Sequence, residues 1–402
     1  MERRYRWVIL GAGTFAQSSF SAVSVGLPAL APALRAHYRL SLGETGVVLG
    51  AVGAGMLLTL LPWGLLADRV GERVVMSTGL AAAGGALIAT AGTHGYLALV
   101  LLLALAGALG ASVNAASGRA VMGWFGRRER GLALGIRQTS VPIGGAGAAA
   151  SLPWLASAGG TRLAFVALGC GCLAAAAVAG ALMREPPSPQ SQPLEGTGTP
   201  LHDPRMWLLA GGSSLYLVAQ IAITNFVVLF LHQHRGLSPH AAAGVLAGIN
   251  VLGIGARIGA GRWSDRVRTR LRPLRLLGLV LTAGLGVAAA LVDAPLGLLV
   301  PALVLAGVLG LSWNGLSFTA AAETSGAARS GAALGFQQTV LGVMVAGVPP
   351  AFAAVVGATS WRVAFALAAL GPLLGVAALR RVPEPTSAAR TRGMSAIPPA
   401  AR

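Results

Sequence analysis

The chain has 402 residues, of which 55% are hydrophobic, only 10% are charged and 57 are glycine. That balance excludes an ordinary soluble domain, in which about 25% of residues are charged. The 30 basic residues, all arginine, outnumber 12 acidic ones and give a net charge of +18. They lie between long apolar stretches rather than on one soluble face, so the charge reports membrane topology and not nucleic-acid binding.

A bilayer core about 30 Å thick takes roughly 20 apolar residues of helix to cross, and twelve runs of that kind follow in chain order. In the first half they are approximately 7–34, 44–66, 74–91, 96–125, 131–157 and 161–183. In the second half they are approximately 206–231, 239–262, 271–292, 295–322, 331–356 and 360–379. Arg3, Arg4 and Arg6 before the first run imitate a secretory signal, but the run continues without a convincing cleavage site and reads as a first helix. Residues 184–204, with EPPSPQSQPLEGTGTP, have too little apolar surface to fold and read as a linker between halves. The expected organisation is therefore an all-α membrane protein of two six-helix bundles, 1–183 and 205–380, with a disordered tail at 381–402.

Local chemistry narrows the candidates. Cys170 and Cys172 sit two positions apart in an apolar run, so a helix points them about 200° apart, and they read as packing residues. Ser41 and Glu44 form a capping box at a helix start. His232, His234 and His240 resemble no metal spacing and read as solvated loop residues; no metal or cofactor is expected.

Arginine placement sets the orientation, because cytoplasmic loops retain excess positive charge. Loops on one side carry Arg69, Arg73, Arg127, Arg128, Arg130 and a dense set from Arg262 to Arg275; the other side carries only Arg35, Arg39, Arg162, Arg235 and Arg362. Both termini are expected in the cytoplasm. The halves also repeat at an offset of 200: LGASVNAAS from Leu109 matches LGLSWNGLS from Leu309, GLALGIRQT from Gly131 matches GAALGFQQT from Gly331, and RLAF at Arg162 matches RVAF at Arg362. Parallel duplicated halves are a transporter architecture.

GLLADRVGER, from Gly64 to Arg73, and its weaker counterpart GAGRWSDRVR, from Gly259 to Arg268, resemble the cytoplasmic loop signature of the major facilitator superfamily. With twelve helices, a central linker and an internal repeat, the resemblance covers the whole chain. It implies a transporter of a small molecule working by alternating access in the bacterial inner membrane, as a monomer and without enzymatic activity. It also implies that Asp68, Arg69, Arg73, Glu129, Asp265 and Arg266 belong to a gate. Locally, Arg69 and Arg73 can bond carboxylates such as Glu129, or merely anchor loops at the headgroups.

Ionisable groups inside lipid are costly and therefore functional candidates. No acidic residue lies near mid-helix, and Glu323, near an inner helix end, is expected to pair with a cytoplasmic arginine. Arg137 follows Glu129 by eight residues and Arg257 precedes Asp265 by eight, so each lies about 12 Å along its helix from a charged boundary. Gln138 accompanies the first and Asn250 precedes the second by two turns, forming polar stripes that should face a cavity. Arg137 aligns with Gln337 in the repeat while Gln138 aligns with Gln338, and a position that breaks symmetry suits substrate contact; snorkelling toward the cytoplasm is the other reading. Asn114, matched by Asn314, lines the cavity or bonds between helices.

ARIGAGRWSD resembles the eighth helix of facilitator-family anion carriers, in which an arginine eight residues before the loop aspartate contacts the anion; Arg257 occupies that place. WFGRRERGLALG resembles the fourth-to-fifth loop of organic-anion and organophosphate branches. The reading is a carrier of a small anion, with Arg137 and Arg257 as its cationic site and Gln138, Asn250, Gln337, Gln338 and Asn114 as further substrate contacts. VPIGGAG from Val141 partly resembles the fifth-helix motif of drug/proton antiporters, which is the alternative.

Overall fold

A computed structural model describes residues 2–125, 129–185, 203–325 and 330–383. Most of the expected linker and tail, together with Arg127 and Arg128, lies outside the described residues. The described chain is helical throughout: α1 (Glu2–Ser24), α2 (Ala31–Tyr38), α3 (Leu42–Val70), α4 (Glu72–Thr90), α5 (Tyr96–Trp124), α6 (Arg130–Gln138) and α7 (Ser140–Leu182) precede the gap. After it come α8 (Pro204–Ser214), α9 (Tyr216–Gln233), α10 (Pro239–Val267), α11 (Leu271–Ala290), α12 (Leu296–Ser312), α13 (Asn314–Ser325), α14 (Ser330–Ala358) and α15 (Trp361–Arg380). Eleven segments of the described residues are long and apolar enough to cross a membrane. The longest, Gly135–Leu182, has 48 residues and covers most of the two runs expected at 131–157 and 161–183. It is interrupted where those runs were separated: Gly159 leaves helical geometry, and Gly160, at φ +68°, adopts a backbone that glycine tolerates.

These helices are apolar on faces that meet nothing in the protein. Leu58 and Leu61 on α3 are 77% and 70% exposed, a cost in water but not among acyl chains. Lipid also removes the hydrophobic drive between helices, so close packing and polar contacts must hold them. The α3–α5 crossing shows both. A Cβ on Gly55 would lie 1.8 Å from the Ala104 carbonyl oxygen, and one on Gly107 would lie 2.1 Å from that of Val52. Just beyond, Thr59 Oγ1 and Trp63 Nε1 both donate to the Ala108 carbonyl, at 2.6 and 2.7 Å.

Helices α1, α3, α4, α5 and α7 pack on one another, and α8 to α15 do likewise. The two groups meet along α3 against α14 and along α7 against α10. At one end, here called the outer end, the Arg35 guanidinium bonds the Gln233 amide oxygen across the groups. Ser41 and Glu44 form the expected capping box there. Asp293 accepts from Arg362 (2.9 Å) and faces His234 (3.2 Å), and these two bonds hold its carboxyl below the usual range. A cluster of Phe226, Phe230, Phe352, Trp361 and Phe365 fills the core beneath, with neighbouring ring centroids 4.8–6.4 Å apart.

The opposite end holds Tyr5, Glu129, Leu182 and Arg184 together: the Tyr5 hydroxyl donates to the Leu182 carbonyl and Trp124 Nε1 to that of Arg184. It is here called the linker end. Cys170 and Cys172 are free thiols, one exposed and one buried.

Candidate functional site

The centre of the first helix group is polar. Arg137 occupies the last turn of α6 and is only 9% exposed. Its Nε donates to Ser117 Oγ on α5 (2.9 Å) and one terminal nitrogen donates to Gln17 Oε1 on α1 (3.2 Å). Gln17 Nε2 in turn donates to Asn114 Oδ1 (2.9 Å), so one glutamine joins Arg137 to Asn114. A Cβ on Gly118 would stand 3.7 Å from the guanidinium carbon, which leaves the head group room against α5.

Arg257, half-buried on α10, reaches across the two groups. Its Nε donates to the Leu311 carbonyl (3.2 Å), and one terminal nitrogen donates to the carbonyl of Gln138 (3.1 Å), the residue after Arg137. Arg257 is thus bonded at the position of α6 that follows Arg137. None of the ion pairs among the described residues includes either of them. Glu323, the nearest expected competitor, pairs with Arg270 (3.0 Å) as the sequence suggested.

The second group carries an uncharged image of the same arrangement. Gln337 Nε2 donates to Ser317 Oγ, as Arg137 does to Ser117, and Ser317 donates to Ser213 (2.6 Å). Asn314 Nδ2 and Trp313 Nε1 donate to Gln220 Oε1, at 3.3 and 3.1 Å, as Asn114 meets Gln17. A serine receives the donor at the same place in both groups, from a charged side chain in the first and a neutral one in the second.

Other expected site residues stand apart. Gln338 is exposed on α14. Asn250 is fully buried where α10 meets α7, its Nδ2 donating to Leu246 (2.9 Å) and its Oδ1 facing Gly145, where a Cβ would come within 2.8 Å. It packs the interface two turns from Arg257.

The expected bonding of Arg69 and Arg73 to Glu129 is not what forms. Glu129 pairs with Arg6 (2.6 Å), Arg73 Nε donates to the Gly180 carbonyl (2.6 Å), and Arg69 and Arg266 are exposed. Asp68 pairs instead with Arg119, which also reaches Glu72 (3.4 Å), because the α3–α5 crossing brings the end of α5 over the end of α3. Asp265 pairs with Arg270 (2.5 Å). Replacement Arg119→Gln, leaving two carboxylates opposed, is expected to cost about 1 kcal/mol. Adding Asp68→Asn should recover part of it; thermal unfolding in detergent checks both.

Gln17, Ser117, Arg119 and Gln220 were not singled out by sequence reasoning. Gln17 had a usable signal, a lone amide in the middle of an apolar run, and Ser117 lies inside the repeated segment.

Eleven segments apolar and long enough to cross a membrane, with Arg137 buried inside one helix group and Arg257 reaching between the two, define a membrane protein rather than a soluble binding domain. The family model of the Major Facilitator Superfamily matches residues 12–349. An uncharacterized MFS-type transporter of Mycobacterium tuberculosis is 34% identical over 382 residues, covering 92% of this chain and 84% of that one. An uncharacterized transporter of Bacillus subtilis is 30% identical over 167 residues, covering 41% and 38%. Among solved structures, a bacterial homolog of the human lysosomal transporter Spinster, inward-facing and occupied, superposes with TM-score 0.79 at 17% identity over 98% of this chain and 99% of that one. A D-xylose–proton symporter does so with TM-score 0.73 at 14% identity over 92% and 97%.

The chain belongs to the major facilitator superfamily, and it is a multi-pass membrane transporter of that family.

Proposed function

We propose that this chain is a secondary carrier of a small organic anion, a carboxylate, which binds between its halves at Arg137 and Arg257. The observation that carries this reading is that both guanidiniums are bonded only to neutral groups, Ser117, Gln17 and two backbone carbonyls. A buried cation without a counter-charge is costly and is relieved by an arriving anion. Guanidinium also matches a carboxylate with two parallel bonds. The acidic residues of the described chain lie at helix ends, so no protein carboxylate is placed to carry a proton through the middle. Exchange, uniport, or symport with a proton held by the substrate follows.

In this reading the Gly159–Gly160 break separates two spans, giving twelve helices in two six-helix halves, 1–183 and 205–380. The linker end faces the cytoplasm of a bacterial inner membrane, with both termini on that side, and the halves close toward the outside. The chain works as a monomer.

Counterflow in proteoliposomes tests this. Preloaded mono- and dicarboxylates are expected to drive uptake of a labelled carboxylate, while cationic dyes are not. Dye flux driven by a proton gradient, with carboxylates inert, would replace this reading with a drug/proton antiporter, to which VPIGGAG also points.

A further inference from the structure

Arg257 ties the two helix groups together through an acceptor that the sequence has to create. In an unbroken helix the Gln138 carbonyl would receive the N–H of the residue four positions on. That residue is Pro142, which has no N–H, so this bond cannot form. The chain responds locally: α6 ends at Gln138, Thr139 turns back with its N–H and its hydroxyl both on the Ile136 carbonyl (3.1 and 2.6 Å), and α7 starts at Ser140. The vacated Gln138 carbonyl then accepts from Arg257 of the other group, at 3.1 Å. The second acceptor has a similar origin. The helix is interrupted at Trp313, which leaves Leu311 in the last turn of α12, where carbonyls lack helical partners. Arg257 therefore bridges two helix breaks, one in each group.

The contact is in register. Gly145 on α7 faces Asn250, and Gln138 at the end of α6 faces Arg257, a separation of seven residues on both sides of the contact, so α10 runs antiparallel along α7 and across the α6–α7 break. Asn250 contributes no donor to α7 here, leaving the Arg257 bond to Gln138 as the polar tie between α10 and the α6–α7 segment among the described residues.

A carboxylate is a stronger acceptor than a neutral carbonyl, by roughly twofold in bond strength. We infer that Pro142 is a positioning residue of the transport cycle: it frees the carbonyl that Arg257 holds in the empty carrier, and an incoming carboxylate takes over those donors and unties α10 from the end of α6. Substrate binding and loosening of the interface are then one event. A ligand shifts a conformational equilibrium only by its differential affinity for the two states, and this exchange of acceptors supplies that difference. The inference rests on the reading of Arg257 as part of the substrate site.

Pro142→Ala restores the missing N–H, so the Gln138 carbonyl is satisfied within its own helix. Spin labels at Val74 on α4 and Leu276 on α11, exposed positions in the two groups, report their relative placement once Cys170 and Cys172 are replaced by alanine. Without ligand, P142A is expected to give the distance distribution that the parent protein gives with succinate. R257Q, which removes the same bond from the other side, should match P142A in the empty state, a coincidence that a merely structural proline would not produce. Succinate should bind P142A roughly two- to tenfold more tightly, because its competitor is gone. An empty P142A indistinguishable from the parent overturns the inference. If succinate raises the melting temperature of the parent but leaves its distances unmoved, the inference falls while the anion site stands. If succinate and the other carboxylates do neither, the substrate reading falls, and the coupling with it.

Discussion

Arg137→Gln is expected to abolish carboxylate transport while leaving the protein at least as stable as before. The protein already contains the substituted arrangement, since Gln337 occupies the repeat-related position, fully buried, with its amide on Ser317. A glutamine at 137 has Ser117 waiting in the same place, so the helices have no reason to move. What disappears is the charge, and with it charge-assisted bonds to the substrate worth about 2–3 kcal/mol, or roughly 30- to 150-fold in affinity. Stability should hold or rise, because replacing an uncompensated buried charge by a neutral group removes a desolvation penalty. The measurement is a pair: equilibrium binding or counterflow of a labelled carboxylate, and thermal unfolding of the same preparation. Loss of both would mean that Arg137 is chiefly structural; retention of transport would remove it from the site.

Gly50→Trp should stop transport by a different route, keeping substrate affinity. At the outer end α3 lies so close to α14 that a Cβ on Gly50 would stand 2.7 Å from the Ala346 carbonyl oxygen. A backbone oxygen of a packed helix cannot step aside as a side-chain tip can, so an indole there forces the groups apart. With a penalty of about 3 kcal/mol on the closed outer end, its population falls roughly 100-fold relative to the open form. A cysteine introduced at Ala353, fully buried beside that contact, gives the readout. It should resist a membrane-impermeant thiol reagent in the parent background and react readily with G50W. Protection in both, together with normal turnover, would show that this contact does not open in the cycle.

Much of this architecture was readable without coordinates because its signals are local or periodic. A run of twenty apolar residues has few alternatives to a helix, and the Ser41–Glu44 box needs only two side chains three residues apart. Arg137 and Arg257 stood out for the same reason: each is an isolated charge inside such a run, and the broken repeat at Gln337 marked the first. Their partners did not stand out. Gln17, Ser117 and the Gln138 carbonyl become neighbours only when α1, α5, α6 and α10 are packed, and a backbone acceptor has no side-chain signature at all. The Glu129 expectation failed through a related error. It paired groups by shared loop position, whereas close packing of α3 on α5 puts Arg119, a charge inside the fourth apolar run rather than in a loop, in front of Asp68 and Glu72.

The ion pairs at the linker end carry one more implication. Arg119 with Asp68 and Glu72, Arg6 with Glu129, and Arg270 with Asp265 and Glu323 each join helices of one group, and among the described residues none spans from one group to the other. In the proposed cycle, rocking of one group against the other would sever none of these pairs, which would stiffen each group instead of fastening the mouth between them. Raising ionic strength should lower the melting temperature of this carrier and leave the balance between its two facing directions almost untouched.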